Sequence, residues 1–253
     1  MVEEALYEHL GQRGAGVRFD WGPAGAAALH EGQGCLVVVD VLSFTTAVSV
    51  AVGRGMAVLP YDLGRPGAEQ YALEQGAELA VRRRDISADQ PWSLSPSSLR
   101  TAPFTARLLL PSPNGSAVAA AAQGVVVAAC LRNAAACARW ALASGYGLPD
   151  KPVSVVAAGE RWPDGTLRPA VEDALGAGAV LLRLQEAGCR LSTEAALTAE
   201  MYRNTNDIAG ALATCGTGFE LYAMGFGADV DIASELDRDD YAPVLAGGTF
   251  TAN

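Results

Sequence analysis

The chain alternates short, unbroken apolar runs with longer stretches in which apolar residues recur every three or four positions. The runs fall at 35–41, 57–61, 108–110, 125–129 and 153–157. None alternates apolar with polar, so each predicts a strand covered on both faces, as in a parallel sheet. Between and after them, helical spacing predicts helices over 46–52, 67–75, 116–123, 133–144 and 171–187. Another runs to Arg203 with Ser192 or Thr193 as its cap, and Asn206 or Asp207 caps the next. Gly53, Gly76, Gly124, Gly145 and Gly188 stand where helices should stop. The stretch 87–103, with three prolines and six serines or threonines, reads as a long loop. Strand–helix alternation of this kind predicts an α/β fold, a three-layer helix–sheet–helix sandwich with a largely parallel sheet, built as a single domain over 1–253.

Composition narrows the function classes. Half of the 253 residues are hydrophobic and 18% are charged, which excludes a disordered or fibrous chain. The longest apolar run, 117–131, is interrupted by Gln123 and Gly124 and is too short to span a membrane, and the acidic N-terminus lacks the layout of a signal peptide, so a cytoplasmic protein is expected. The net charge of −10 argues against a nucleic-acid partner. Five scattered cysteines without a CxxC pair, with His9 and His30 as the only histidines, argue against zinc and read as buried thiols.

In open α/β sheets ligands sit beyond the carboxyl ends of the strands. There the chain places Asp40 with Ser43, Thr45 and Thr46, then Ser112, Asn114, Gly115 and Ser116, then Arg132 and Asn133, then Glu160 and Arg161, with Glu172 and Asp173 opening a helix. Each has an ordinary reading: Asp40 and Asn133 as helix caps, Asn114–Gly115 as a turn, Glu172–Asp173 as a complement to the helix dipole. Together they put hard oxygen ligands and free backbone N–H groups on one rim, which is what a Mg2+–phosphate site requires.

Several segments resemble the 2-phosphosulfolactate phosphatase family: VVVDVLSFTTAV around Asp40, SLSPSSL at 93–99, PSPNGS at 111–116, CLRNAAA at 130–136, AAGERWPDGTLRPAVEDALGAGAV at 157–180 and TAEMYRNTNDIAGAL at 198–212. The order holds from about Cys35 to Val244. The resemblance implies Mg2+-dependent hydrolysis of 2-phosphosulfolactate in coenzyme M biosynthesis on a three-layer α/β fold. Matched by position, Asp40, Asn114, Asn133, Glu160, Arg161, Glu172 and Asp173 line the site. Asp40 and a member of the Glu172–Asp173 pair hold the metal, while Thr45, Thr46, Ser95, Gly115, Ser116 and Arg83 bind substrate. The partner implied is a small phosphorylated acid, and a homodimer is compatible with the chain. Where the family has an arginine soon after the first aspartate, this chain has Ser43–Phe44, removing a phosphate clamp. Near 81–84 it reads Val-Arg-Arg-Arg in place of Gly-Glu-Arg. Arg82, Arg83 or Arg84 replaces the clamp, or the three form a solvated strand end. The Asp-x-Asp of aspartate-nucleophile phosphatases is absent, which favours attack by water. A catalytically silent anion binder on the same scaffold is the alternative.

Overall fold

The computed structural model describes residues 9–29, 32–122 and 124–253. The N-terminal stretch 1–8, His30, Glu31 and Gln123 lie outside them. Five strands, β1 (Val17–Trp21), β2 (Cys35–Val39), β3 (Ala57–Asp62), β4 (Glu78–Leu79) and β5 (Arg107–Ser112), alternate with α1 (Gly22–Leu29), α2 (Phe44–Gly53), α3 (Ala68–Gln75) and α4 (Pro96–Thr101). Next come α5 (Gly115–Ala121), β6 (Val125–Ala129), α6 (Ala134–Ala143), β7 (Val153–Ala157) and the small hairpin of β8 (Glu160–Arg161) with β9 (Leu167–Arg168). The chain closes with α7 (Val171–Glu186), α8 (Thr193–Arg203), α9 (Ile208–Thr214), α10 (Gly216–Ala223), α11 (Gly227–Ala233), β10 (Pro243–Ala246) and β11 (Thr249–Ala252).

The fold is the expected α/β class, a large, mostly parallel sheet flanked by helices. Its order is β1-β7-β2-β6-β10-β11-β3-β5-β4. The β2 run shows why alternation is missing from the sequence. Val37 and Val39 pack into one core with α6, α7 and α8, while Leu36 and Val38 pack into another with α2 and α5. Strands with both faces covered leave no polar side to write.

The chain departs from the expected pattern in three places. β1 and α1 lie at one edge, where β1 pairs parallel with β7. The 87–103 stretch contains a helix, α4, because Ser95 accepts the Ser98 N–H and Pro96 presets the first turn. The β10–β11 hairpin inserts antiparallel between β6 and β3. Three successive antiparallel pairings reverse the sense, so β3, β5 and β4 run opposite to β2, β6 and β7 as counted along the sheet. The sheet wraps around α2, which touches β3, β6, β10 and β11 and is buried along its length up to Gly53. That curvature brings the end of β5 to the end of β2. Ser192 caps α8 and Asp207 caps α9, each side chain accepting the N–H three residues on. Cys35, Cys130, Cys137 and Cys215 are buried free thiols, and Cys189 is half-buried. Among the described residues no helix is long and apolar enough to cross a membrane.

Candidate active site

β2 ends at Val39, and the next residue, Asp40, turns the chain into α2. Thr45 fixes that turn. Its hydroxyl donates to the Asp40 carbonyl at 2.8 Å and accepts from the Asp40 N–H at 3.0 Å. Thr46 donates its hydroxyl to the Val41 carbonyl. With its backbone held, the Asp40 carboxylate accepts from two N–H groups: Phe44 on Oδ1 at 3.1 Å and Gly115 on Oδ2 at 2.7 Å. Asp40 is therefore both a cap-like acceptor for α2 and the anchor of the turn after β5, 75 residues away.

Gly115 has to be glycine. A Cβ there would lie 2.5 Å from Phe44 Cδ1 and 2.7 Å from Asp40 Oδ2. Asn114 makes no side-chain cap for α5; instead its Nδ2 donates to Glu160 Oε2 at 3.0 Å. Glu160 is thereby joined to the Asn-Gly turn across the sheet. From the other side, α7 presents Asp173, whose Oδ1 accepts the Val41 N–H at 2.7 Å and whose Oδ2 accepts the Gly159 N–H at 2.9 Å. Asp40 and Asp173 thus grip consecutive stretches of one turn. α7 approaches this closely because Gly176 faces Val39 and Val41, where a Cβ would come within 2.5 Å of Val41 Cγ2.

Four carboxylates, Asp40, Glu160, Glu172 and Asp173, act on one another here. Burial pushes Asp40 up to about 6, with the Glu172 charge adding to it against the Phe44 and Gly115 N–H groups and the Arg83 cation. Burial also pushes Glu160 up to about 7, reinforced by the Asp40 and Glu172 charges and opposed by Asn114 and Arg168. Asp173 is raised well above the ordinary range by burial and then by the Asp40 and Glu172 charges. A buried, mutually repelling set of acids is short of positive charge.

Part of the counter-charge is Arg83. Its Nε lies 3.0 Å from Asp229 Oδ2 on α11, and its Nη2 donates to Ser43 Oγ at 2.5 Å. Of the three arginines it is Arg83 that reaches Ser43. Asp229, fully buried, also accepts the Ser95 hydroxyl at 2.6 Å and the N–H and hydroxyl of Ser97. Asp229, Ser97 and Arg168 are site neighbours that sequence reasoning missed. Arg168 stacks over Trp162 and donates to Thr217.

Other expected site residues lie elsewhere. Asn133 is fully buried, with its amide engaged by Cys130 N, Ala128 O and Ser49 Oγ, so it braces the β6–α6 turn and does not face the carboxylates. Ser116 donates to the carbonyls of Tyr61 and Ser112, inside the fold. Arg161 is exposed on the β8–β9 hairpin and donates to Gly165 O. The Gly115 N–H, expected to face a phosphate, is engaged by Asp40.

The donor chemistry suits a hard divalent cation, with a limit. Among the described residues no three His, Cys, Asp or Glu side chains converge as a metal-binding group. A metal here would draw on two carboxylates, with water and phosphoryl oxygens completing its shell, the usual arrangement for Mg2+. Asp40 and Asp173 each already accept two backbone N–H groups, so a metal would take a second lone pair from one of them together with Glu172. A small cavity of about 80 Å3 lined by Trp21, Asn114, Glu160, Arg161 and Leu167 has room for water beside Glu160.

A comparison with curated proteins finds no match. The family model of 2-phosphosulpholactate phosphatase matches residues 25–248, a span that takes in β2 through β10 and every residue of the carboxylate cluster. The chain belongs to the 2-phosphosulpholactate phosphatase family, a family of phosphoric monoester hydrolases.

Proposed function

We propose that this protein hydrolyses the phosphate monoester of a 2-hydroxy acid, 2-phosphosulfolactate in the family's reaction, giving sulfolactate and phosphate. The observation that carries the reading is the meeting of Asp40, Glu160, Glu172 and Asp173 from three distant segments, with Asn114 and Arg83 at their edge. Coenzyme M biosynthesis in the cytoplasm goes with that substrate.

Asp40 and Glu172 would hold Mg2+. When bound, the cation neutralises the carboxylates and the phosphoryl oxygens together. Arg83, fixed by Asp229, contributes a second positive charge to the phosphoryl group through the space beside Ser43. Glu160 is poised near neutrality, where a carboxylate exchanges protons best, and the small cavity beside it admits the attacking water. As the water oxygen bonds to phosphorus, its proton passes to Glu160, and the ester P–O bond breaks. Glu160 then returns the proton to the departing alkoxide. Asn114 orients Glu160 throughout.

The test is phosphate release from 2-phosphosulfolactate by the purified protein with Mg2+, with EDTA, and by Asp40→Asn. The reading predicts turnover lost in EDTA, restored by Mg2+, and reduced at least ~100-fold in Asp40→Asn. Binding of the substrate without any phosphate release would favour the silent anion binder.

A further inference from the structure

A second cavity, of about 1100 Å3, is lined by Pro113, the residue before Asn114, which lines the small one. It slightly exceeds the roughly 300–1000 Å3 that accommodates a drug-sized ligand, far beyond the needs of a three-carbon acid. Two residues join it to the carboxylate cluster. Arg83 lines it and donates to Ser43 Oγ, and Pro113 lines it directly ahead of Asn114. Its wall is mainly apolar, with Leu79, Val81, Leu94 and Phe226 among the lining side chains. Arg82 and Arg84 stand on it, exposed and with no side-chain ion pair or hydrogen bond to the described residues, alongside the acidic Glu69 and Asp85. The arginines exceed the acids on this wall in a chain whose net charge is −10.

We infer that this cavity binds the non-phosphate part of the substrate, and that the substrate is a phosphate monoester carrying a bulky apolar body with an anionic group for Arg82 and Arg84. A phosphoryl group between Arg83 and Asn114 has the cavity as its open side, so a substituent on the ester carbon extends along the apolar wall. This rests on the phosphatase reading for the placement of the phosphoryl group.

The experiment separates binding from turnover. Non-hydrolysable phosphonates of a 2-hydroxy acid, one with a methyl substituent and one with a phenylalkyl carboxylate tail, are titrated by calorimetry into the full chain, Leu63→Trp and Arg82→Glu/Arg84→Glu. Leu63 is exposed at the cavity's edge, so tryptophan there narrows the cavity without disturbing the core. The expected result is at least ~10-fold tighter binding of the tailed phosphonate, lost in both variants, with the small phosphonate unchanged. Equal affinity for the two phosphonates, or a tail advantage that survives Leu63→Trp, overturns the inference. Phosphate release from the matching esters is measured alongside. A tail advantage without turnover supports the cavity assignment and sinks the phosphatase reading, whereas turnover of the small ester without a tail advantage does the reverse.

Discussion

At the scale of single residues, the site is held by contacts that leave no room for substitution. Gly115 passes so close to Asp40 and Phe44 that Gly115→Ala has to displace one of them. Overpacking of this kind costs about 1–3 kcal/mol, and a carboxylate misplaced by about 1 Å costs about 100-fold in rate. Denaturant unfolding together with phosphate release checks both, and a variant with wild-type activity would contradict the placement of Asp40. Glu160 gives a prediction of sign. Folding raises its carboxyl from 4.5 to about 7, so the folded chain keeps a proton that the unfolded chain has lost, and stability falls as pH rises between those values. Glu160→Gln still accepts from Asn114 but does not titrate. Its stability relative to the wild type should increase from about pH 5 to about pH 8 and then level off, read by thermal unfolding. A relative stability that declines with pH runs against the account. Asp40, Glu172 and Asp173 were legible because carboxylates follow a strand or open a helix. Asp229 was not, since its partner Arg83 lies 146 residues away and nothing local marks the pair.

At the scale of elements, α7 does most to position the site. Gly176 lets it sit against β2, and Gly178 lets it sit against α8, where a Cβ would come 2.6 Å from Thr198 O. Gly176→Val should push α7 off β2, loosen the hold of Asp173 on Val41 and Gly159, and destabilise the protein by about 1–3 kcal/mol with a parallel loss of activity. Stability unchanged in denaturant titration would show that the approach of α7 to β2 is not what fixes the site. The central strands and long helices were readable from unbroken apolar runs and helical spacing. The β10–β11 hairpin was not, although Gly247 and Gly248, both in the left-handed region, form its turn. β1 and α1 escaped for the opposite reason: Arg18 and Asp20 interrupt the strand, and a Gly-Pro start disguises the helix.

At the scale of the whole molecule, strand order explains why one rim collects groups from both halves of the sheet. With the hairpin inserted, β5 runs opposite to β2 along the sheet, and only the wrap around α2 brings Gly115 to Asp40. Of the strand-end residues expected at a common site, Asp40, Asn114 and Glu160 are brought together. Asn133 is not among them, since its amide turns inward. The strongly negative chain gathers four of its carboxylates at this point, a configuration that a divalent cation would relieve. Diffraction from crystals grown with Mn2+ in place of Mg2+ and a phosphonate analogue tests that most directly, since Mn2+ is located by its anomalous signal. The account predicts an anomalous peak about 2 Å from carboxylate oxygens of Asp40 and Glu172, with the phosphonate beside Asn114 and Arg83. A peak on other residues, or a phosphonate bound away from Asp40, would contradict it.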